Sequence, residues 1–155
     1  MTPMEPLLTL LAQAERERNA AMAVAKRLEI EHRNAQRQAE QLQTYRRDYE
    51  ARWSSQFSRS GGIDIVQCYQ GFVTRLGQAI EVQQRVTLLA AQRLESAQAA
   101  WQAQEMRVAS VRKLIERRGK EMLGVEARRE QKLLDEHAAR LLWGRAAGAG
   151  ALSPL

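Results

Sequence analysis

The sequence predicts an all-α protein: two long helices in an antiparallel coiled-coil hairpin, the second helix longer, followed by a flexible C-terminal tail. Three observations predict it. Apolar residues recur at alternating steps of four and three along most of the chain, the 3.5-residue period of a left-handed coiled coil. A single Gly-rich interruption, Ser60-Gly61-Gly62-Ile63-Asp64, separates two such stretches. The composition is 45% hydrophobic and 27% charged, with alanine prominent and few glycines or prolines. A compact α/β domain would need more Val, Ile, Phe and turn residues than this.

The first helix is expected over about residues 5–58. Thr2-Pro3-Met4-Glu5 reads as a start, with Thr as cap, Pro in the first turn and Glu closing the box. Its seam is Leu7, Leu11, Ala14, Ala21, Ala25, Leu28, Ala35, Ala39, Leu42, Tyr49 and Trp53, with Arg18, His32 and Arg46 filling gaps. Alanines let a partner helix come close but bury little area, so the seam is weak per residue.

Two adjacent glycines cost about 1 kcal/mol each inside a helix, so the chain should turn at Gly61-Gly62. Asp64 is the expected cap of the second helix, with Gln67 closing a second box. If the chain reverses here, residues whose numbers total roughly 123 face each other. Glu5 then meets Arg118, Tyr49 meets Phe72, Tyr45 meets Leu76, Leu42 meets Ala79 and Gln38 meets Gln83.

The second helix is expected over about residues 64–142. Its seam reads Ile65, Tyr69, Phe72, Leu76, Ala79 and Val86, slips near Ala90, then continues through Leu94, Ala97, Trp101, Val108, Val111, Ile115, Met122 and Val125. The slip resembles an inserted four-residue step, which locally unwinds a supercoil. Gly71 and Gly77 are unfavourable inside this helix unless a backbone or a partner comes close. The stretch from about Gly119 to Leu142 has no partner helix by the pairing rule. Residues 143–155, including Gly144-Arg145-Ala146-Ala147-Gly148-Ala149-Gly150, read as the flexible tail. Residues 1–142 form one domain.

A formal net charge of +6 and a pI near 10.1 admit acidic proteins, nucleic acid or anionic membrane as partners. Cys68 is the sole cysteine, which excludes an internal disulfide and suggests a reducing compartment. The N-terminus is a poor signal peptide, and no apolar run approaches the roughly 20 residues that span a bilayer. A cytoplasmic protein is expected.

No catalytic constellation stands out, and no cofactor, metal or small-molecule substrate is expected. Gly61-Gly62 lacks the Lys-Ser/Thr of a phosphate loop. His32 and His137 are far apart, one at a seam position and one near the C-terminus. Cys68 has no neighbouring His to act as base and reads as a packing residue.

Two features carry functional information. Six of the aromatic residues flank the turn: Tyr45, Tyr49, Trp53, Phe57, Tyr69 and Phe72. They are either seam filler or a composite binding stripe. Tyr45 favours the stripe, since it sits beside the seam series rather than in it. The second feature is a basic stretch with Arg112, Lys113, Arg117, Arg118, Lys120, Arg128, Arg129, Lys132 and Arg140, interspersed with Glu116, Glu121, Glu126, Glu130, Asp135 and Glu136. Mixed signs usually mean a solvated face with intrahelical pairs. A DNA-binding basic region would be more purely positive and joined to a parallel zipper, so nucleic acid is not the expected partner.

Three local patterns then coincide: Tyr69-Gln70-Gly71-Phe72 with Leu76, Ala79 and Ile80; Ala100-Trp101; and Arg129-Glu130-Gln131-Lys132 before Asp135-Glu136-His137-Ala138. With Leu42, Tyr45 and Tyr49 upstream, the chain resembles the FliJ family, the small coiled-coil component of the flagellar type III export apparatus, over about Leu7 to Arg140. The resemblance implies a non-enzymatic, stalk-like hairpin similar to the gamma subunit of rotary ATPases. It implies three partners: the hexameric export ATPase, the cytoplasmic domain of the membrane export gate, and export chaperones. It also implies peripheral association with the inner membrane through that apparatus, and a chain that is monomeric on its own.

The family's gate-contact stripe corresponds here to Gln38, Leu42, Tyr45, Tyr49, Phe72, Leu76 and Ala79. Gln83 takes a position where some relatives carry His. The end bearing both termini is expected in the ATPase ring, which assigns Arg112, Lys113, Arg117, Arg118, Lys120, Arg128, Arg129 and Lys132 to ring binding. The alternatives are the equivalent stalk of a virulence injectisome, a generic dimeric coiled-coil scaffold, or a basic DNA-associated protein.

Overall fold

A computed structural model describes residues 4–57 and 62–151. Helix α1 runs Glu5–Arg52 and passes into a π-helical turn, Trp53–Phe57. Helix α2 runs Ile63–Ala151. Among the described residues there is no strand. The two long helices pack against each other, as the repeat predicts.

Both helix starts differ in detail from the expected caps. The first backbone bond of α1 is donated by Leu8 to the Met4 carbonyl at 3.0 Å, and Pro6 falls in the first turn, where no N–H is needed. Thr2 and Pro3, and the Ser60-Gly61 pair of the expected turn, lie outside the described residues. At α2 the capping position is Gly62, not Asp64: its carbonyl accepts from Ile65 N at 3.1 Å and Val66 N at 3.2 Å. Asp64 lies inside the first turn, where its charge favours the helix dipole.

Two further boundaries differ from expectation. The α-helical part of α1 ends at Arg52, where Ser55 Oγ donates back to the Arg52 carbonyl at 3.4 Å. Serine hydroxyls compete with the helix ladder in this way, and the ladder here widens to a π turn. At the other end, α2 continues to Ala151, through Trp143 and most of the segment expected as a tail from residue 143. The alanines between the glycines favour helix, and no proline interrupts before Pro154.

The chain divides into two compact units, Ala14–Arg107 and Met1–Gln13 with Val108–Leu155. In the first, the helices are antiparallel: Trp53 stacks on Tyr69, Gln83 Nε2 donates to the Ala35 carbonyl at 3.0 Å, and Arg18 pairs with Glu105 at 3.8 Å. Arg107 also pairs with Glu17. These partners follow the rule of totals near 123, falling a few residues short around Gln83 and the aromatic end. The α1 seam is the expected one. Ala14, Ala25 and Ala35 are buried, and Leu28, His32, Ala39, Leu42, Arg46, Tyr49 and Trp53 are half-buried.

The α2 seam needs correction. Leu76 is buried as expected, but the next inward positions are Ile80, Gln83 and Thr87 rather than Ala79 and Val86, both of which are exposed. The four-residue step therefore falls at Phe72–Leu76–Ile80, ahead of Ala90. From Ile80 the steps alternate regularly through Ala90, Leu94, Ala97, Trp101 and Gln104. Polar residues are tolerated on this line because the facing alanines bring backbone within reach. Gln83 bonds the Ala35 carbonyl, and Thr87 Oγ1 bonds the Gln83 carbonyl at 2.9 Å.

Gln104 lacks such a solution, for its Oε1 is buried with no hydrogen-bond partner among the described residues. An unsatisfied buried acceptor costs about 1–3 kcal/mol. Gln104→Leu is accordingly expected to stabilise the protein by about 1 kcal/mol, raising the thermal midpoint by roughly 2–4 °C in a circular-dichroism melt. An unchanged or lower midpoint would show that the oxygen is satisfied in solution.

Gly71 and Gly77 do not mark a close approach within the chain. A Cβ at Gly77 would meet nothing within 4 Å, and one at Gly71 would meet only the end of Arg75 at 3.8 Å.

In the second unit, Val108 and Val111 are buried and Leu7, Leu10, Leu11, Ile115 and Gly119 half-buried. A Cβ at Gly119 would lie 3.9 Å from Met4 Cε, which matches the expected meeting of Glu5 with Arg118 to within a residue. From Lys120 to Gly148 every residue except Gly124 is exposed, including Met122 and Val125 of the expected seam. No α1 residue is left to cover them.

Candidate partner-binding surfaces

The aromatic residues around the turn form one continuous series in the Ala14–Arg107 unit. Trp53 stacks on Tyr69 with centroids 4.0 Å apart and planes at 12°. Tyr69 stacks on Tyr49 at 5.6 Å, Tyr49 meets Phe72 at 4.3 Å, and Phe72 meets Tyr45 edge-on at 6.0 Å. Tyr45 also lies 6.5 Å from Tyr49. The four-three spacing on both helices produces this, because each set stays on one face for several turns. Each such ring pair contributes about 0.5–1.5 kcal/mol beyond area burial. Phe57 lies in the π turn.

Burial sorts the stripe residues into three roles. Leu76 is 7% exposed and belongs to the core. Leu42, Tyr49, Phe72 and Gln83 are half-buried, so each is shared between the seam and the surface. Gln38, Tyr45 and Ala79 are exposed, Tyr45 at 53%. Gln38, Gln41, Leu42, Tyr45 and Gln83 line one shallow hollow, which brings together residues from both helices as the pairing rule expects. A second, apolar hollow is lined by Tyr49, Trp53, Asp64, Ile65, Cys68 and Tyr69. Periodicity places Trp53, Ile65 and Cys68 among seam or packing residues, yet Cys68 and Ile65 are exposed. The signal that could have found them is proximity to the first turn of α2, where the α-helical part of α1 has already ended.

The basic stretch lies in the other unit, and its cations are exposed. Lys120 pairs with Glu116 at 3.3 Å, and Arg128 Nε donates to the Gly124 carbonyl at 3.3 Å. Among the described residues, Lys113, Arg117, Arg118, Arg129 and Lys132 make no ion pair. The expected solvated face with intrahelical pairs is present, with few pairs on it. Arg118, Glu121, Met122, Val125, Glu126 and Arg129 line a hollow that continues the inward line past the last α1 residue.

His32 is half-buried on the seam and His137 exposed. Among the described residues no group of three metal-ligating side chains converges, and no helix is long and apolar enough to cross a membrane.

The family model of the flagellar FliJ protein matches residues 4–147 of the chain. The chain belongs to the FliJ family. No curated protein and no solved structure matches it. Membership makes this FliJ-family chain a component of the flagellar export apparatus, and its helical architecture agrees with the coiled-coil expectation. The match runs past Leu142, the expected end of the helical domain, and stops within the last turns of α2.

Proposed function

We propose that this chain acts without catalysis as a stalk-like coiled coil between the export ATPase and the export gate. The observation that carries the reading is the uncovered length of α2 beyond Gly119. It presents Arg128, Arg129, Lys132 and Arg140 together with exposed Leu123, Leu133, Leu134 and Leu141. A helix whose apolar side chains have no cover among the described residues suits a partner that surrounds it, as a hexameric ring would. Ring binding is assigned to Arg112, Lys113, Arg117, Arg118, Lys120, Arg128, Arg129 and Lys132.

The aromatic end supports contact with the cytoplasmic domain of the gate. Gln38, Leu42, Tyr45, Tyr49, Phe72, Ala79 and Gln83 offer surface, and Leu76 holds the helices in register beneath them. Escort of export chaperones is part of the same reading, as is association with the inner membrane through the apparatus. The free chain is a monomer in this reading, because its seam is satisfied within one molecule. Co-purification with the export ATPase of the same source tests it, with light scattering on the free chain. The expected results are a retained ATPase and a monomeric mass. Failure to retain the ATPase would overturn the stalk assignment, and a stable dimer would favour a scaffold.

A further inference from the structure

The corrected α2 register leaves an apolar stripe of which only its first residue, Ala79, is assigned to a partner. Ala79, Val82, Val86 and Leu89 are spaced three, four and three residues apart, so they share one face of α2. All four are exposed, Val82 at 52%, Val86 at 47% and Leu89 at 48%. The neighbouring cations are Arg75 four residues before Ala79, Arg85 in the middle, and Arg93 four residues after Leu89. Arg75 bonds its own helix at the Gly71 carbonyl, 3.3 Å away. Arg85 and Arg93 make no ion pair among the described residues. Glu81 shares a shallow hollow with Arg85 and Leu88 on the stripe's outer edge.

We infer that this stripe is a docking face for an acidic amphipathic helix of another protein, which lays aliphatic residues along Ala79–Leu89 and carboxylates against Arg75, Arg85 and Arg93. A narrow stripe over three turns fits one helix with anchors at matching spacing. The charge selects an acidic partner. It also argues against a second copy of this chain. An antiparallel copy that set Val82 against Val86 and Ala79 against Leu89 would set Arg75 against Arg93 and bring the two Arg85 side chains together. The inference rests on α2 alone, shares only Ala79 with the gate assignment, and is carried by Val82, Val86 and Leu89, which neither the ring nor the gate assignment uses.

The test uses the full chain and a labelled synthetic helix of about 18 residues, with leucines at the matching spacing and glutamates beside them. A control peptide carries lysines in place of the glutamates. Fluorescence anisotropy is expected to show micromolar binding of the glutamate peptide that weakens with salt. Val82→Asp with Val86→Asp should weaken it by roughly tenfold or more. Arg85→Glu with Arg93→Glu should shift preference to the lysine peptide. All four side chains are exposed, so helicity by circular dichroism should stay unchanged. Equal affinity of wild type and variants, or no preference between peptides, would overturn the inference. So would flotation with phosphatidylserine vesicles that Val86→Asp abolishes, which would make the stripe a membrane contact. A dimer in light scattering that Val86→Asp dissolves would assign it to a second copy instead.

Discussion

Truncation after Arg118 is expected to return the export ATPase to its unstimulated rate while leaving the Ala14–Arg107 unit helical. The cut falls where cover by α1 ends: Met4 lies beside Gly119, and from Lys120 to Gly148 every residue except Gly124 is exposed. It removes Arg128, Arg129, Lys132 and the exposed leucines but no residue buried in the core. Stability should therefore change little, and loss of stimulation can be read as loss of a binding segment. A finer version reverses charge at Arg129 and Lys132, two exposed cations outside any ion pair among the described residues. Weakening should be greater at low salt, where attraction between exposed charges is least screened. Full stimulation by the truncated chain, measured as phosphate release, would remove the segment from the mechanism.

Tyr45→Asp and Leu76→Ala are expected to have opposite signatures. Tyr45 is half-exposed at the edge of the ring series, so its loss should spare the fold. Binding to the cytoplasmic domain of the gate should fall roughly tenfold or more, as for an aromatic anchor at an interface. Leu76 is core, and truncating a buried leucine costs about 2–5 kcal/mol. Its midpoint should drop by many degrees, and any loss of gate binding would follow from weakened helix pairing. Isothermal titration calorimetry and thermal melts separate the two. Unchanged affinity for Tyr45→Asp in a folded protein would return the aromatic residues to a purely structural role.

The α1 seam was legible because its inward residues are alanine, leucine and aromatics at regular steps, with His32 and Arg46 correctly read as polar members. The antiparallel arrangement was legible because adjacent glycines interrupt both helical patterns at one place. The α2 seam was not, between Leu76 and Leu94. There the apolar residues Ala79, Val82, Val86 and Leu89 form a periodic line of their own, and periodicity cannot tell an inward stripe from an outward one. The helical end was misjudged for a different reason. Glycines at 144, 148 and 150 look like breakers, but each costs only about 1 kcal/mol against the alanines around it. Of the candidate surfaces, the meeting of Tyr49 with Phe72 and the burial of Leu76 were legible, whereas the exposure of Ile65 and Cys68 beside them was not.

The sequence by itself determined the antiparallel pairing: which α1 residues face inward, and which residues meet across the pair. Local steric cost and a regular apolar period suffice for that. Only the tertiary structure decided which face of α2 turns inward past Leu76. That choice depends on a long-range bond, Gln83 to the Ala35 carbonyl, whose partners are 48 residues apart. With Gln83 bonded on the seam and Ile80 buried beside it, Val82, Val86 and Leu89 are left facing outward.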